Sequence, residues 1–156
     1  MEILGIVLAV VVLAGVAIAF GWRPLRRFGK RVHVERAREA FRLQRERLEA
    51  KFLQAAQASG KPRGLRWSDC EFESDVLYVR DKNTGELAAL VGVTIQFEAV
   101  PGSDMEDNPN VGNLRNASAV FFFQHGHWNT VGKAVFNMNP GEAVEHFKNQ
   151  YERVSG

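Results

Sequence analysis

One cysteine, Cys70, is all that this 156-residue chain has. An intrachain disulfide is excluded, and so is any metal site that needs several thiolates. The motifs of nucleotide and hydrolytic chemistry are missing as well. There is no glycine-rich phosphate loop, no G-x-G-x-x-G, no H-E-x-x-H and no G-x-S-x-G. Acidic residues are scarce over one long stretch: between Gly21 and Arg66, 14 of the 20 Lys and Arg meet only Glu35, Glu39, Glu46 and Glu49. From Trp67 onward the balance reverses, with 6 bases against 13 acids. The net charge of +2 hides this division. At 46% hydrophobic and 24% charged, the composition is that of one small globular domain with accessory segments.

The amino terminus carries no charge from Ile3 to Phe20, a run of 18 residues without proline. As a helix it would extend about 27 Å, close to the roughly 30 Å of a bilayer's hydrocarbon core. Trp22 follows at interface position, then Arg23, Arg26, Arg27, Lys30 and Arg31. Only Glu2 and the terminal amine precede the run. The positive-inside bias predicts a membrane anchor over 1–22, with the rest of the chain in the cytoplasm of the cell. The flanking bases are expected to meet anionic lipid headgroups. A cleaved signal peptide is the rival reading, because Ala17-Ile18-Ala19 has small-x-small spacing. Against it stand the length of the run and the absence of Lys or Arg before it.

Residues 23–60 form a basic stem. From Val34 to Ser59 the chain has no Gly, Pro or Asn and is rich in Ala, Leu, Glu, Arg and Gln, which predicts a helix ended by Gly60 and Pro62. Glu35/Arg38, Glu39/Arg42, Arg42/Glu46 and Arg45/Glu49 have ion-pair spacing. Val34, Ala37, Phe41, Leu48, Phe52 and Ala55 form an apolar stripe, diluted by Gln44, Arg45 and Lys51. The stripe suits a stem helix whose distal half packs on the following domain; its seven-residue members also provide a seam for a partner helix or a homo-oligomer, as do Gly5/Ala9 and Gly15/Ala19 in the span. Phe41 and Leu48 are therefore candidate partner-binding residues. Arg36 to Lys51 read as a solvated helix face, and no aromatic interleaving accompanies the charge, so nucleic acid is not expected as a partner.

Residues 61–156 read as an acidic α+β domain. Alternation predicts strands over Asp75–Asp81 and Leu87–Val100 around a Lys82–Gly85 turn. A second hairpin is expected from Ser118–Gln124 and His127–Met138 about His125-Gly126, with Trp67–Phe72 as a short edge strand. Asn139, Pro140 and Glu142 have the spacing of a capping box. The helix they start should present Ala143, Val144, Phe147, Tyr151 and Val154. The expected fold is a mostly antiparallel four-stranded sheet covered on one face by this carboxyl-terminal helix.

Candidate chemistry is sparse. His125-x-His127 has metal-pair spacing only on a continuous strand, and a turn at Gly126 breaks it. His146 could join them only through the fold. The loop Pro101–Ala117 carries Asp104, Glu106 and Asp107 without the ordered alternation of a calcium loop, so a solvated acidic loop or a docking surface for a basic protein partner is expected. Cys70 lies among Asp69, Glu71 and Glu73, which favour the neutral thiol. No catalytic residue, metal ligand or cofactor is assigned. The reading is a single-pass, membrane-anchored binding module, not an enzyme: an accessory subunit of a membrane complex, with the lipid bilayer and a protein as partners. The alternatives are a small-ligand or enzymatic pocket between sheet and helix, and an exported domain behind a cleaved signal.

Overall fold

The computed structural model describes residues 33–58 and 64–154. The expected span and Trp22, Arg23, Arg26, Arg27, Lys30 and Arg31 lie outside them. Among the described residues no helix is long and apolar enough to cross a membrane.

The period-two stretches pair first with their neighbours. Strand β1 (Leu65–Asp81) runs antiparallel to β2 (Leu87–Ala99), and β2 to β3 (Arg115–Gln124). The turn between β1 and β2 is tied by Asp81, whose Oδ1 accepts the Asn83 and Thr84 amides at 2.8 and 3.1 Å. Strands β4 (His127–Asn129) and β5 (Ala134–Phe136) both pair with β3, and β6 (Tyr151–Arg153) pairs with β1. The spatial order is β4-β3-β2-β1-β6, with β5 beside β3. Helix α1 covers residues 33–58 and α2 covers Pro140–His146. The α+β class and the antiparallel sheet are as expected.

The sheet has six strands, not four, and it departs from the expectation in three places. Trp67–Phe72 is no separate edge piece, because it continues through an irregularity between Phe72 and Val76 into one long strand. There Glu73, Ser74 and Asp75 oppose Gly92 alone. Second, His127–Met138 is interrupted. Thr130 turns its hydroxyl inward to donate to the Val120 carbonyl at 3.0 Å and to accept the Gly132 amide at 3.1 Å. Past Phe136, Asn137 takes a φ of 58°, which ends β5. Third, the last helix stops at His146. Its capping box forms as expected, with Asn139 Oδ1 accepting the Glu142 amide and Glu142 Oε2 accepting the Asn139 amide, both at 2.9 Å. But Asn149 and Tyr151 are weak helix formers, and the open edge of β1 offers backbone groups that need partners. The chain turns at Phe147 and returns along that edge, with Tyr151 opposite Asp81. The expected helical stripe is cut accordingly: Ala143 and Val144 are buried, Tyr151 belongs to a strand, and Phe147 is 37% exposed.

Both faces of the sheet are covered, not one. The compact unit that holds the sheet begins at Ala40, so the second half of the stem belongs to the domain. Phe41 meets the rings of Tyr78, Phe121 and Trp128, with centroids 6.0, 5.3 and 5.0 Å away. Phe52 meets Trp67, Phe72 and Phe121 at 6.2, 5.6 and 5.8 Å. On the opposite face α2 sets Ala143 and Val144 on Val79, Ala88, Leu90 and Val120. Strand β2 bears the mark of this: Leu87–Val93 is buried on both sides, and alternation with exposed residues begins only beyond it.

Candidate functional site

Strands β3 and β4 are joined by only two residues, His125 and Gly126, whose φ values are 52° and 81°. Two positive φ values are what a tight I′-type hairpin demands, and they close the turn sharply. The hairpin stands beside α1, and the two enclose a cleft of about 410 Å³. Its floor is Leu48 and Trp128, 3% and 5% exposed. Trp128 is wedged between Phe41 and Phe123, at 5.0 and 5.1 Å. Gln44, Arg47 and Lys51 rise from the helix on one side; Gln124, His125, His127 and Asn129 rise from the hairpin on the other. No carboxylate lines the cleft. Gln124 donates to Glu86 Oε2 at 3.0 Å, and Asn129 Oδ1 accepts the Thr130 amide at 2.8 Å.

A second cleft, about 460 Å³, lies between the β1 irregularity and the start of α2. Its lining mixes signs: Glu73, Glu142 and Arg115 with Asn116, Asn137 and Asn139. Much of this polarity is engaged internally, because Asn139 and Glu142 cap the helix. The Glu73 carboxylate lies over Gly92, where a Cβ would come within 2.1 Å of it. The space between the sheet and α2, where a small-ligand pocket was the alternative, measures only about 20 Å³. That is about the room one water needs.

The sequence-predicted residues are scattered. Phe41 and Leu48, read as partner-binding, are 1% and 3% exposed and form part of the core, so a self-associating stem cannot use them without dismantling it. Ala56 is buried where Ala55 was expected, because a straight helix drifts off a seven-residue repeat. Asp104, Glu106 and Asp107 are exposed in the loop between β2 and β3. Glu106 Oε2 accepts the Gly102 amide at 2.7 Å and Asn108 Oδ1 accepts the Asn110 amide at 2.9 Å, so these oxygens shape successive turns. His125 and His127 share the basic cleft, whereas His146 is in edge contact with Phe147 on α2. Among the described residues no three His, Cys, Asp or Glu are placed to hold a metal ion. Burial, and then the Asp69 carboxylate, push the Cys70 thiol up to about 12, which leaves it a weak nucleophile.

Two kinds of residue escaped the sequence reading. Arg45 looked like a flaw in an apolar stripe. Its guanidinium donates to the Glu73 and Ser74 carbonyls and pairs with Glu49 at 2.7 Å, so it clasps the β1 irregularity to the helix. Arg47 and Lys51 were read as a solvated face. Their signal was legible: with Gln44 they fall at i, i+3 and i+7, on one face and without an acid. No family model matches this chain, and no curated protein or solved structure matches it.

Proposed function

We propose that the chain is a single-pass membrane-anchored binding module whose α+β domain faces the cytoplasm and docks a protein partner, as an accessory subunit of a membrane complex. The observation that carries this reading is the uncharged run Ile3–Phe20, followed by Trp22 and five bases and preceded by none. A hydrocarbon-length segment with that asymmetry partitions into the bilayer and holds its basic flank on the cytoplasmic side. Each base near an anionic leaflet contributes about 1 kcal/mol. The exposed carboxylates of Asp104 and Asp107 favour a basic partner surface, whose approach they would steer.

The test is made on the full chain in cells. It should stay with membranes through alkaline carbonate extraction and keep its own amino terminus by mass spectrometry. Cys70 is too unreactive to report topology, so an exposed thiol is introduced by Asp107→Cys. A membrane-impermeant maleimide should label it only after lysis. Release by carbonate, a mature terminus near Phe20, or labelling of intact cells would overturn the reading.

A further inference from the structure

We propose that the cleft between α1 and the β3–β4 hairpin is a binding site for a phosphate group carried by a small anionic molecule. The proposal goes beyond the membrane reading and does not depend on it.

The first argument is charge without compensation. Arg47 and Lys51 stand one helical turn apart, where like charges repel. Two other cations of the helix are answered, Arg38 by Glu35 at 3.0 Å and Arg45 by Glu49 and two carbonyls. Among the described residues no ion pair or side-chain hydrogen bond engages Arg47, Lys51, His125 or His127. An arriving anion relieves the repulsion and takes the donors together.

The second argument is the kind of donor. A guanidinium offers a planar fork of N–H groups, an ammonium three rotating N–H bonds, and each imidazole at least one. The Asn129 carbonyl oxygen is already used by the Thr130 amide, which leaves its NH₂ for a ligand. This set of donors from two opposed walls suits the three terminal oxygens of a phosphate better than the two of a carboxylate. The third argument is preorganisation. Trp128 and Leu48 are fixed in the aromatic core, and the two-residue turn fixes where the imidazoles begin, so binding need order only the Arg and Lys side chains. The volume of about 410 Å³ falls in the usual range for small ligands, roughly 300–1,000 Å³.

The test uses the full chain in a nonionic detergent and titrates inorganic pyrophosphate by calorimetry at low salt. Saturable binding is expected. Arg47→Gln with Lys51→Gln should weaken it at least about tenfold. His125→Asn, which keeps a residue tolerant of positive φ, should weaken it less. Arg66→Gln with Lys148→Gln removes the same charge from exposed ion pairs elsewhere and should leave affinity within about twofold. Circular dichroism checks that each variant is folded. Doping the micelles with phosphatidic acid separates the sources. Competition with pyrophosphate assigns a lipid headgroup; unchanged pyrophosphate binding assigns a soluble phosphate ester. Failure of both pyrophosphate and phosphatidic acid to bind the natural chain overturns the proposal, as does equal weakening by the control pair. None of these readouts depends on whether residues 3–20 cross a membrane.

Discussion

The two faces of the sheet are built from different materials. Under α1 the core is aromatic: Phe41 and Phe52 from the helix meet Trp67, Phe72, Tyr78, Phe121 and Trp128, nearly all edge-on or tilted. Under α2 the fully buried part is small and aliphatic, with Val79, Ala88, Leu90 and Val120 below Ala143 and Val144, and Leu77, Phe122, Val135, Met138 and Tyr151 half-buried around it. A long helix with two phenylalanines needs large rings opposite it to fill the gap at close packing. A seven-residue helix that offers an alanine and a valine needs little depth. The aromatic face therefore rests on large buried rings, and the other on a small aliphatic cluster with polar contacts at the strand ends. The distal half of the basic stem thus packs on the domain, as its apolar stripe led one to expect, and supplies Phe41 and Phe52 to this layer.

That comparison breaks most directly at Phe52, which has no exposed surface. Phe52→Ala should cost about 4 kcal/mol, within the range for burying a cavity of that size. Val144→Ala on the other face should cost about 1–2 kcal/mol, because fewer methyl groups go and the site is shallower. Urea unfolding of the full chain in detergent measures both. Equal losses would mean that α1 does not dominate the core.

Gly132 tests how closely α1 is seated. It has a φ of 72°, and a Cβ there would lie 2.3 Å from the Ala56 nitrogen and 2.7 Å from the Ala55 carbonyl carbon. Those are backbone atoms of a helix and cannot swing away. Gly132→Ala should cost roughly 2–4 kcal/mol, the sum of a left-handed backbone penalty and overpacking. Gly85→Ala has the same sign of φ but open space around it, so it should cost roughly 1–2 kcal/mol. The difference between the two isolates the contact with α1, and no difference would mean that the helix gives way.

Legibility in the sequence followed the range of the interaction. The β1–β2 turn, the alternation in β2 and the capping box of α2 are set by residues within a few positions of each other, and each was readable. That α2 would cover the sheet was also readable, but the partners across each covered face were not. Nothing near Phe41 in sequence says that its partners are Phe121 and Trp128, about eighty residues on, and a heptad pattern suits a sheet as well as a second helix. The missed break in His127–Met138 is of the same kind, since Gly132 has its reason in Ala55 and Ala56. Of the candidate site, the hairpin turn at His125 and Gly126 was legible, but the wall opposite it was not. Arg47 and Lys51, which share the cleft with His125 and His127, lie on a face of α1 expected to be solvated.

The smallest effect is the most local. Asp81 sits where β1 ends, on the side held by polar contacts. Its carboxylate is kept below the ordinary 3.8 by the Gln150 side chain first, then by the Thr84 and Asn83 amides. Gln150 Nε2 donates to Asp81 Oδ2 at 3.0 Å, and the Lys82 amide donates to the Gln150 carbonyl at 2.8 Å, so the anion helps hold the return into β6. A carboxyl whose value falls on folding stabilises the native state above pH 3.8, and that contribution disappears as pH drops through the folded value. Amide exchange, corrected for intrinsic rates, should therefore show β6 loosening as pH falls below about 4. Asp81→Asn should show reduced protection at Tyr151–Arg153 already at pH 6, with little further change on acidification. The amides of α1 between residues 41 and 56 should be unaffected in both cases, because their protection rests on aromatic burial. Parallel loss of protection in α1 would show that the two faces open together and that the division between them is one of composition alone.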